Sequence, residues 1–422
     1  MSDAHNHYFK KVTLGHFLTE LPKSTLPASL AITNGSYPFF CSSSIVKYTN
    51  TYLQDKSAVL MGTGGVASVN FGSEKFAYST DTWAFRSNNE AELSTEYIYR
   101  VIQKKLPEIG YSAFEGSGLK HLRKEYVKKL KLNIPANKTV NLKILCILGT
   151  IDQAIEQTEA LIEKYQQIKV GLMHDLFTRG IDADGKLRPY REQAPALYQQ
   201  TPIGWIPNEW ECTRLNKKAK SGIPHLKTGP FGSSLKGEHW AENGHPVITI
   251  GALGEGCFTS SELLFISNFD AKRLFDYQMK LGDVVFSRVA DVGRSVVIDI
   301  EQIGWIMSSN LMRISLDSKL VSSDFLQYQL SFDSRVKKQI RCKVNSGGRE
   351  VANSEILNGL YFVWPNIDEQ NETVRRAEAL TLRVNCERNN LHKLHEQKSG
   401  LMHDLLTGKV QVSINTSEAA NV

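Results

Sequence analysis

The chain has 422 residues, 41% of them hydrophobic and 22% charged, which supplies apolar material for more than one core and suggests two to three domains. A formal net charge of +6 permits attraction to phosphates but does not by itself identify a polyanionic partner. There is no run of about 18 apolar residues, no apolar signal core in the opening MSDAHNHYFKK and no C-x-x-C pair among six scattered cysteines, which argues against a spanning helix, a zinc site and a disulfide framework and fits a reducing cytoplasm.

Residues 1–140 contain short Val/Ile/aromatic runs bounded by Gly, Asn or Asp, such as SAVLMG (Ser57–Gly62) and DTWAFR (Asp81–Arg86), the pattern of a mainly β unit with a few helices. Residues 141–180 are proline-free, with apolar residues at 3,4 spacing, and predict a long helix. The polar, Pro/Gly-containing stretch 181–204 reads as a connector. Residues 205–365 return to strand-like runs: HPVITIG (His245–Gly251), DVVFSR (Asp283–Arg288) and SVVIDI (Ser295–Ile300). A second long helix is expected over 366–412, and a short flexible tail over 413–422.

The two helical segments are copies of one another. KVGLMHDLFT (Lys169–Thr178) and KSGLMHDLLT (Lys398–Thr407) lie 229 residues apart and differ only at their second and ninth positions. The match runs backwards without a gap. Leu148, Ile151, Ile155, Thr158, Ile162, Tyr165, Lys169, Leu172 and Leu176 map onto Ala377, Leu380, Val384, Glu387, Leu391, Leu394, Lys398, Leu401 and Leu405. Both sets form a mostly apolar heptad seam. Each helix should start soon after Pro135 or Pro365 and stop near Gly180 or Gly408, giving roughly 35 residues and about 50 Å. A seam of that length needs a partner, and the other copy is the obvious one. Fainter echoes join the flanking domains: STDTWAF with SSNLMRI, STEYIYRVIQ with SSDFLQYQLS, KLKLNIP with GLYFVWP. The expected fold is α+β: two similar mixed, mainly β domains separated by two long antiparallel coiled-coil helices, with pseudo-two-fold internal symmetry.

With these residues in view, the chain resembles the specificity subunits of type I restriction-modification systems. The resemblance rests on GWIPNEWECTRL (Gly204–Leu215), LKTGPFGSSLKGEHWAENGHPVITIGAL (Leu226–Leu253), GDVVFSRVADVGRSVVI (Gly282–Ile298) and GLMHDLLTGKV (Gly400–Val410), in that order. The first half matches more loosely, with VLMGTGGVASVNF (Val59–Phe71) standing where the second has VVFSRVADVGRSV. The resemblance implies two target-recognition domains, each reading half of a split double-stranded DNA site, and two conserved helices that space them. It further implies docking to two modification (methyltransferase) subunits, joined by restriction (motor-nuclease) subunits. Adenine methylation would occur in the modification subunits, with the base flipped into their pocket. No cofactor would be bound directly by this chain; S-adenosylmethionine, Mg2+ and ATP belong to the partners.

Candidate DNA contacts follow. Lys227, Ser233, Ser234 and Lys236 lie in the glycine-rich KTGPFGSSLKG, whose amides and hydroxyls suit a phosphate cradle. Arg288 and Arg294 bracket the hairpin SRVADVGR, suited to a guanine or a phosphate, with salt bridges to Asp291 or Asp283 as the competing use. Lys337, Lys338, Arg341 and Lys343 form a basic run before a Gly-Gly turn. In the first domain the candidates are Lys120, Arg123 and Lys124, with Lys128 and Lys129 beside them, and Thr63 and Ser68. Trp83 and Trp240 read as scaffold aromatics. For subunit docking the duplicated motif offers Leu172, Met173, His174, Leu176, Leu401, Met402, His403 and Leu405.

No catalytic set and no metal site stands out. An amino-methyltransferase should show Asn/Asp-Pro-Pro-aromatic and a glycine-rich donor loop, and a motor a Walker A loop; none is present. Adjacent His and Asp in LMHDL do not face one another on a helix. The competing functions are a stand-alone DNA-modifying enzyme, which those absences oppose, and a coiled-coil adaptor without a DNA role.

Overall fold

The computed structural model describes residues 9–231, 234–254, 256–259, 262–345 and 351–413. It divides into two compact units, Met1–Ala160 with Arg388–Val422, and Leu161–Glu387.

The first unit contains β1 (Phe9–Thr13), β2 (Leu18–Glu20), β3 (Tyr37–Phe40), β4 (Lys47–Thr49), β5 (Ala58–Gly62), β6 (Val69–Gly72), β7 (Ala77–Tyr78) and β8 (Thr82–Ser87). These are followed by α1 (Thr95–Ser112), β9 (Phe114–Glu115), β10 (His121–Leu122), α2 (Lys124–Lys128) and β11 (Lys131–Pro135). Its main sheet, β2-β8-β5-β6, is antiparallel. Every residue of β5 is buried because both faces of the sheet are covered. Val59, Met61, Trp83 and Phe85 face α1, while Ala58, Leu60 and Ala84 face Phe40, Phe76 and Tyr78. The two-residue period of a strand separates the two sets. A smaller sheet, β4-β3-β7, has β3 and β7 parallel, and β1 pairs with β11.

The first long helix, α3 (Lys138–Thr178), leads into the second unit. There follow β12 (Tyr198–Thr201), β13 (Gly204–Pro207), β14 (Glu211–Thr213), β15 (Leu226–Thr228), β16 (Trp240–Ala241), β17 (His245–Ile248) and β18 (Leu264–Ile266). Next come α4 (Asn268–Arg273), β19 (Val284–Ser287), β20 (Ser295–Val297), β21 (Ile306–Met307), β22 (Leu311–Ile314), α5 (Ser323–Phe332), α6 (Ser334–Asn345), α7 (Ser354–Asn358), β23 (Phe362–Trp364) and α8 (Ile367–Thr407). The main sheet, β15-β22-β19-β20, repeats the order and antiparallel sense of the first unit's. The parallel pair recurs as β17 with β21, and the ladder feeding the long helix recurs as β14 with β23. Val284, Phe286, Met312 and Ile314 occupy one face and Val285 and Leu311 the other. The serine caps match as well: Ser94 accepts from Tyr97 N at 3.2 Å and Ser322 from Phe325 N at 3.5 Å.

Each long helix has 41 residues, longer than the sequence estimate and about 60 Å at 1.5 Å per residue. Their bounds differ by the repeat offset, and so do their caps. Asn137 accepts from Thr139 N at 2.8 Å and Asn366 from Glu369 N at 2.9 Å. In the first unit Val140, Ile144, Leu145 and Leu148 of α3 share a core with Met402, Leu405 and Leu406 of α8. In the second, Met173, Leu176 and Phe177 meet Val374 and Ala377. Start meets end in both, so the helices run antiparallel. The seam lysines take equivalent partners: Lys169 Nζ lies 2.8 Å from Thr381 Oγ1, and Lys398 Nζ 2.7 Å from Asp152. Thr381 and Asp152 are themselves 229 positions apart.

Both helices stop at a glycine that no other residue replaces without strain. Gly180 (φ 65°) lies under the Trp210 ring and Gly408 (φ 74°) under Phe9; an added Cβ would sit 2.3 and 2.7 Å from those rings. The 181–204 stretch, expected as a polar connector, is folded onto the second unit. Arg188 is buried there, 2.6 Å from Glu369 and 2.5 Å from Glu209. Trp210 Nε1 and the Ile181 amide also donate to Glu369, so the paired charges hold this stretch in place. Of the expected tail, residues 414–422 lie outside the described residues. Among those described, no helix is long and apolar enough to cross a membrane.

Candidate nucleic-acid interface

In the second unit the candidate face is built from the strap after β15, the turn between β19 and β20, and α6. Gly229 packs on the Ser308 carbonyl, where an added Cβ would stand 2.0 Å from the oxygen. That close approach lays Pro230 and Phe231 beside the 308–310 turn, and Phe231 remains 60% exposed. On the other side, Gly293 of the β19–β20 turn lies against Ile340 of α6. The structure therefore packs the turn that carries Arg288 and Arg294 against α6, the helix of the basic run, two segments that the sequence alone leaves separate.

The strap is less open than a phosphate cradle requires. The Ser234 amide donates to Phe231 O at 3.1 Å, and the Lys236 amide donates to His239 Nδ1 at 2.9 Å, so both N–H groups are already used. Lys227 Nζ is 3.5 Å from Asp276 and 4.6 Å from the centre of the Tyr277 ring. Lys236 is exposed, with Glu238 at 3.9 Å. Ser233 lies outside the described residues.

The two hairpin arginines separate clearly. Arg294 donates from Nε (2.9 Å) and Nη2 to Asp291, and from Nη1 to Leu253 O at 2.8 Å. Its fork is spent on closing its own loop, the competing use foreseen for it. Arg288 has no carboxylate partner among the described residues. It donates to Ala352 O (3.2 Å) and Ser309 O (3.3 Å) and stacks over Phe231 at 5.3 Å. Burial lowers its pKa below the usual arginine value, as expected for a cation desolvated without an anion.

The basic run lies on α6. Val336, Ile340 and Val344 are buried at helical spacing, leaving Lys337, Lys338, Arg341 and Lys343 exposed. Lys337 Nζ donates to Ser331 O at 3.2 Å. The side chains of Lys338 and Arg341 have no hydrogen bond or ion pair among the described residues. The expected Gly-Gly turn falls outside those residues.

In the first unit, the loop after β5 and the 116–122 segment are joined by hydrogen bonds from Gly65 N to Lys120 O (2.9 Å) and from Leu122 N to Thr63 O (3.0 Å). Beside them is a cleft of about 750 Å3, lined in part by Val66, Leu106, Pro107, Leu119 and Lys120. Thr63 Oγ1 donates to Asp81 O at 2.9 Å. Ser68 is buried and presents no surface to a ligand. Arg123 pairs with Glu115 at 3.0 Å; Lys124 (3.6 Å) and Lys128 (2.7 Å) converge on Glu20. The Lys128 hydrogen bond is the main cause of a lowered Glu20 pKa, with Trp83 and Lys124 assisting against burial. Lys120 and Lys129 remain exposed. Trp83 is a core residue.

Most of the duplicated LMHDL motif proves to be packing. Met173 and Leu176, and Met402 and Leu405, are buried in the cores of their own units, and Leu172 and Leu401 are half-buried. Buried side chains have no area to offer another subunit, which leaves His174 and His403 as the motif's exposed docking candidates.

Sequence reading missed one relationship, although its signal was present. Aligning VLMGT with VVFSR places Thr63 opposite Arg288, and STDTWAF with SSNLMRI places Asp81 opposite Asn310. The backbone agrees: Thr63 N donates to Asp81 O and Arg288 N to Asn310 O, both at 3.0 Å. Equivalent positions on one scaffold thus carry different chemistry.

The chain repeats one β-rich domain with differing residues at equivalent turns and runs antiparallel 41-residue helices through the cores of both copies, which makes it an internally duplicated α+β scaffold. Residues 7–167 match the family described as type I restriction modification DNA specificity domain. The chain is 22% identical over 394 residues to the type I restriction enzyme MjaVIII specificity subunit of Methanocaldococcus jannaschii, covering 90% of this chain and 87% of that one. It is 25% identical over 225 residues to the type I restriction enzyme EcoDI specificity subunit of Escherichia coli, covering 50% and 49%. The fold matches the crystal structure of a type I restriction-modification S subunit from M. genitalium at a TM-score of 0.61, with 14% identity over 98% of this chain and 99% of that one. A chain from a study of complex assembly in a type I system matches at 0.55, with 13% identity over 96% and 98%. The chain is thus similar to the specificity subunits of type I restriction-modification systems: the family match lies in its first domain and first long helix, the similarity to the MjaVIII subunit spans most of its length, and it shares the fold of the solved S subunit.

Proposed function

We propose that the chain reads a bipartite double-stranded DNA site, one half with each β-rich domain, and directs adenine methylation and cleavage by its partners. The observation that carries this reading is the repeated sheet order with differing residues at equivalent turn positions, Thr63 and Asp81 against Arg288 and Asn310. A shared scaffold with divergent tips is what two different half-sites require. Phosphate contacts from cations such as Lys338, Arg341 and Lys120 would set register without carrying sequence information. Two modification subunits would dock on the helices, near His174 and His403, with restriction subunits completing the assembly. S-adenosylmethionine, Mg2+ and ATP would bind those partners.

The antiparallel helices act in this reading as a ruler. Adding one seven-residue seam repeat at matched positions of α3 and α8 is expected to widen the gap between half-sites and leave both half-sites unaltered. Mapping methylated sites genome-wide in cells carrying the complete system tests this. A discrete split motif whose gap alone changes supports the proposal. A contiguous motif, or an unchanged gap, contradicts it.

A further inference from the structure

We propose that Arg288 is a base-reading, specificity-determining residue that takes the major-groove edge of a guanine in the half-site of the second domain, and that the equivalent tip in the first domain, Thr63 with Asp81, is built for a base presenting an amine. This rests on the bipartite-reading proposal and deepens it.

A guanidinium has five N–H donors in a fixed planar fork. In Arg288 the Nε–H goes to Ala352 O and one Nη1–H to Ser309 O. Among the described residues, one donor on Nη1 and both on Nη2 are uncommitted, enough for two hydrogen bonds to guanine O6 and N7. The two carbonyls and the Phe231 ring fix the plane of the group while neutralising none of its charge. A partly desolvated cation held rigid without a carboxylate is costly in the free protein and is favoured when acceptors arrive. Arg294, six residues on, shows the alternative on the same loop, with its fork closed by Asp291. The turn following Arg288 also contains Ala290 at φ 57°, the one non-glycine residue with positive φ among the described residues. Beside the Ser309 carbonyl, the Ser308 hydroxyl is buried without a partner among the described residues.

At the matched position of the first domain, the Thr63 hydroxyl hydrogen is committed to the Asp81 carbonyl. The exposed Asp81 carboxylate, where the second domain has Asn310, would repel guanine O6 and N7 and accept from the exocyclic amine of cytosine. Opposite chemistry at equivalent tips is expected of two readers with different half-sites.

The test uses the complete system with wild-type, Arg288→Ala and Arg288→Gln chains, methylated sites being mapped genome-wide. Binding of the assembled methyltransferase to its mapped site is then measured with 7-deazaguanine, which lacks N7, at each guanine in turn. In the wild type, one guanine of one half-site is expected to be sensitive, by about 5- to 140-fold. Arg288→Ala should relax that position alone, Arg288→Gln should shift it towards adenine, and the other half-site should stay as it was. Two results overturn the inference: a wild-type complex insensitive to 7-deazaguanine at every position, or variants that lose affinity equally for all sites with an unaltered motif, as a phosphate contact would. The 7-deazaguanine arm needs no variant to fold. A wild-type chain that yields no split motif refutes the bipartite reading itself; a split motif with no change at any guanine refutes only the role of Arg288.

Discussion

The last turns of α8 complete the core of the first domain, and this has a sharp consequence. Leu405 and Leu406 of α8 are 5% and 4% exposed, packed in the same cluster as Val59, Met61, Trp83 and Ile98. Truncating a buried leucine to alanine costs about 2–5 kcal/mol, so Leu405→Ala with Leu406→Ala should remove roughly 4–10 kcal/mol, less any saving from a shared cavity. Domains are stable by only about 5–15 kcal/mol, so the double variant should bring the first domain close to unfolding. Hydrogen exchange read by mass spectrometry resolves where protection is lost. The expected loss spans β5, β8 and α1, hundreds of residues earlier in sequence, while β19 and β22 keep their protection. Leu176→Ala with Phe177→Ala should do the converse, since both residues belong to the second unit's core. Faster exchange confined to α8, or appearing first in β19 and β22 for the Leu405/Leu406 variant, would refute the assignment of these cores.

Gly408→Ala forces a side chain into a left-handed conformation and against Phe9; a loss of about 1–2 kcal/mol from the backbone alone, and more from displacing the ring, should appear as a lower melting temperature. Arg188→Met leaves Glu369 buried without its cation and should cost about 3–5 kcal/mol in chemical denaturation, whereas Arg188→Met with Glu369→Leu should recover much of the loss. Glu372, hydrogen-bonded first by Arg375 and then by Arg376, has a pKa lowered to about 2. A carboxylate depressed in the folded state stabilises fully above its ordinary value, near 4.3, and loses that contribution as pH falls towards about 2. Glu372→Gln should therefore be less stable at neutral pH and show a shallower decline between those limits in acid titrations followed by circular dichroism; equal slopes would count against the pairing.

The architecture was legible because it is written in periodicity and duplication. A 229-residue offset kept the seam and the cap asparagines in register, the stop glycines fall one position short of it, and the strand echoes pointed to a shared scaffold. The interface was harder to read, because a cation's availability depends on residues distant in sequence. Asp291 is three positions from both Arg288 and Arg294, so spacing does not say which fork it closes; the fold gives it to Arg294, while Arg288 is held by Ser309 and Ala352, distant in sequence. Lys124 and Lys128 looked like phosphate contacts until Glu20, more than 100 positions earlier, proved to hold both. Ser68 looked like a turn hydroxyl and is enclosed by the sheet. LMHDL drew attention as a shared motif, yet its apolar residues are duplicated because the same helix end enters the same core twice.

The most direct test of the central claim is a domain exchange read on DNA. Residues 1–140 are replaced by the corresponding domain of another specificity subunit, α8 is kept, and methylated sites are mapped in cells expressing the complete system. If two independent readers share one scaffold, one half-site changes while the other half-site and the gap persist. A change in both half-sites, or in neither, would contradict the account.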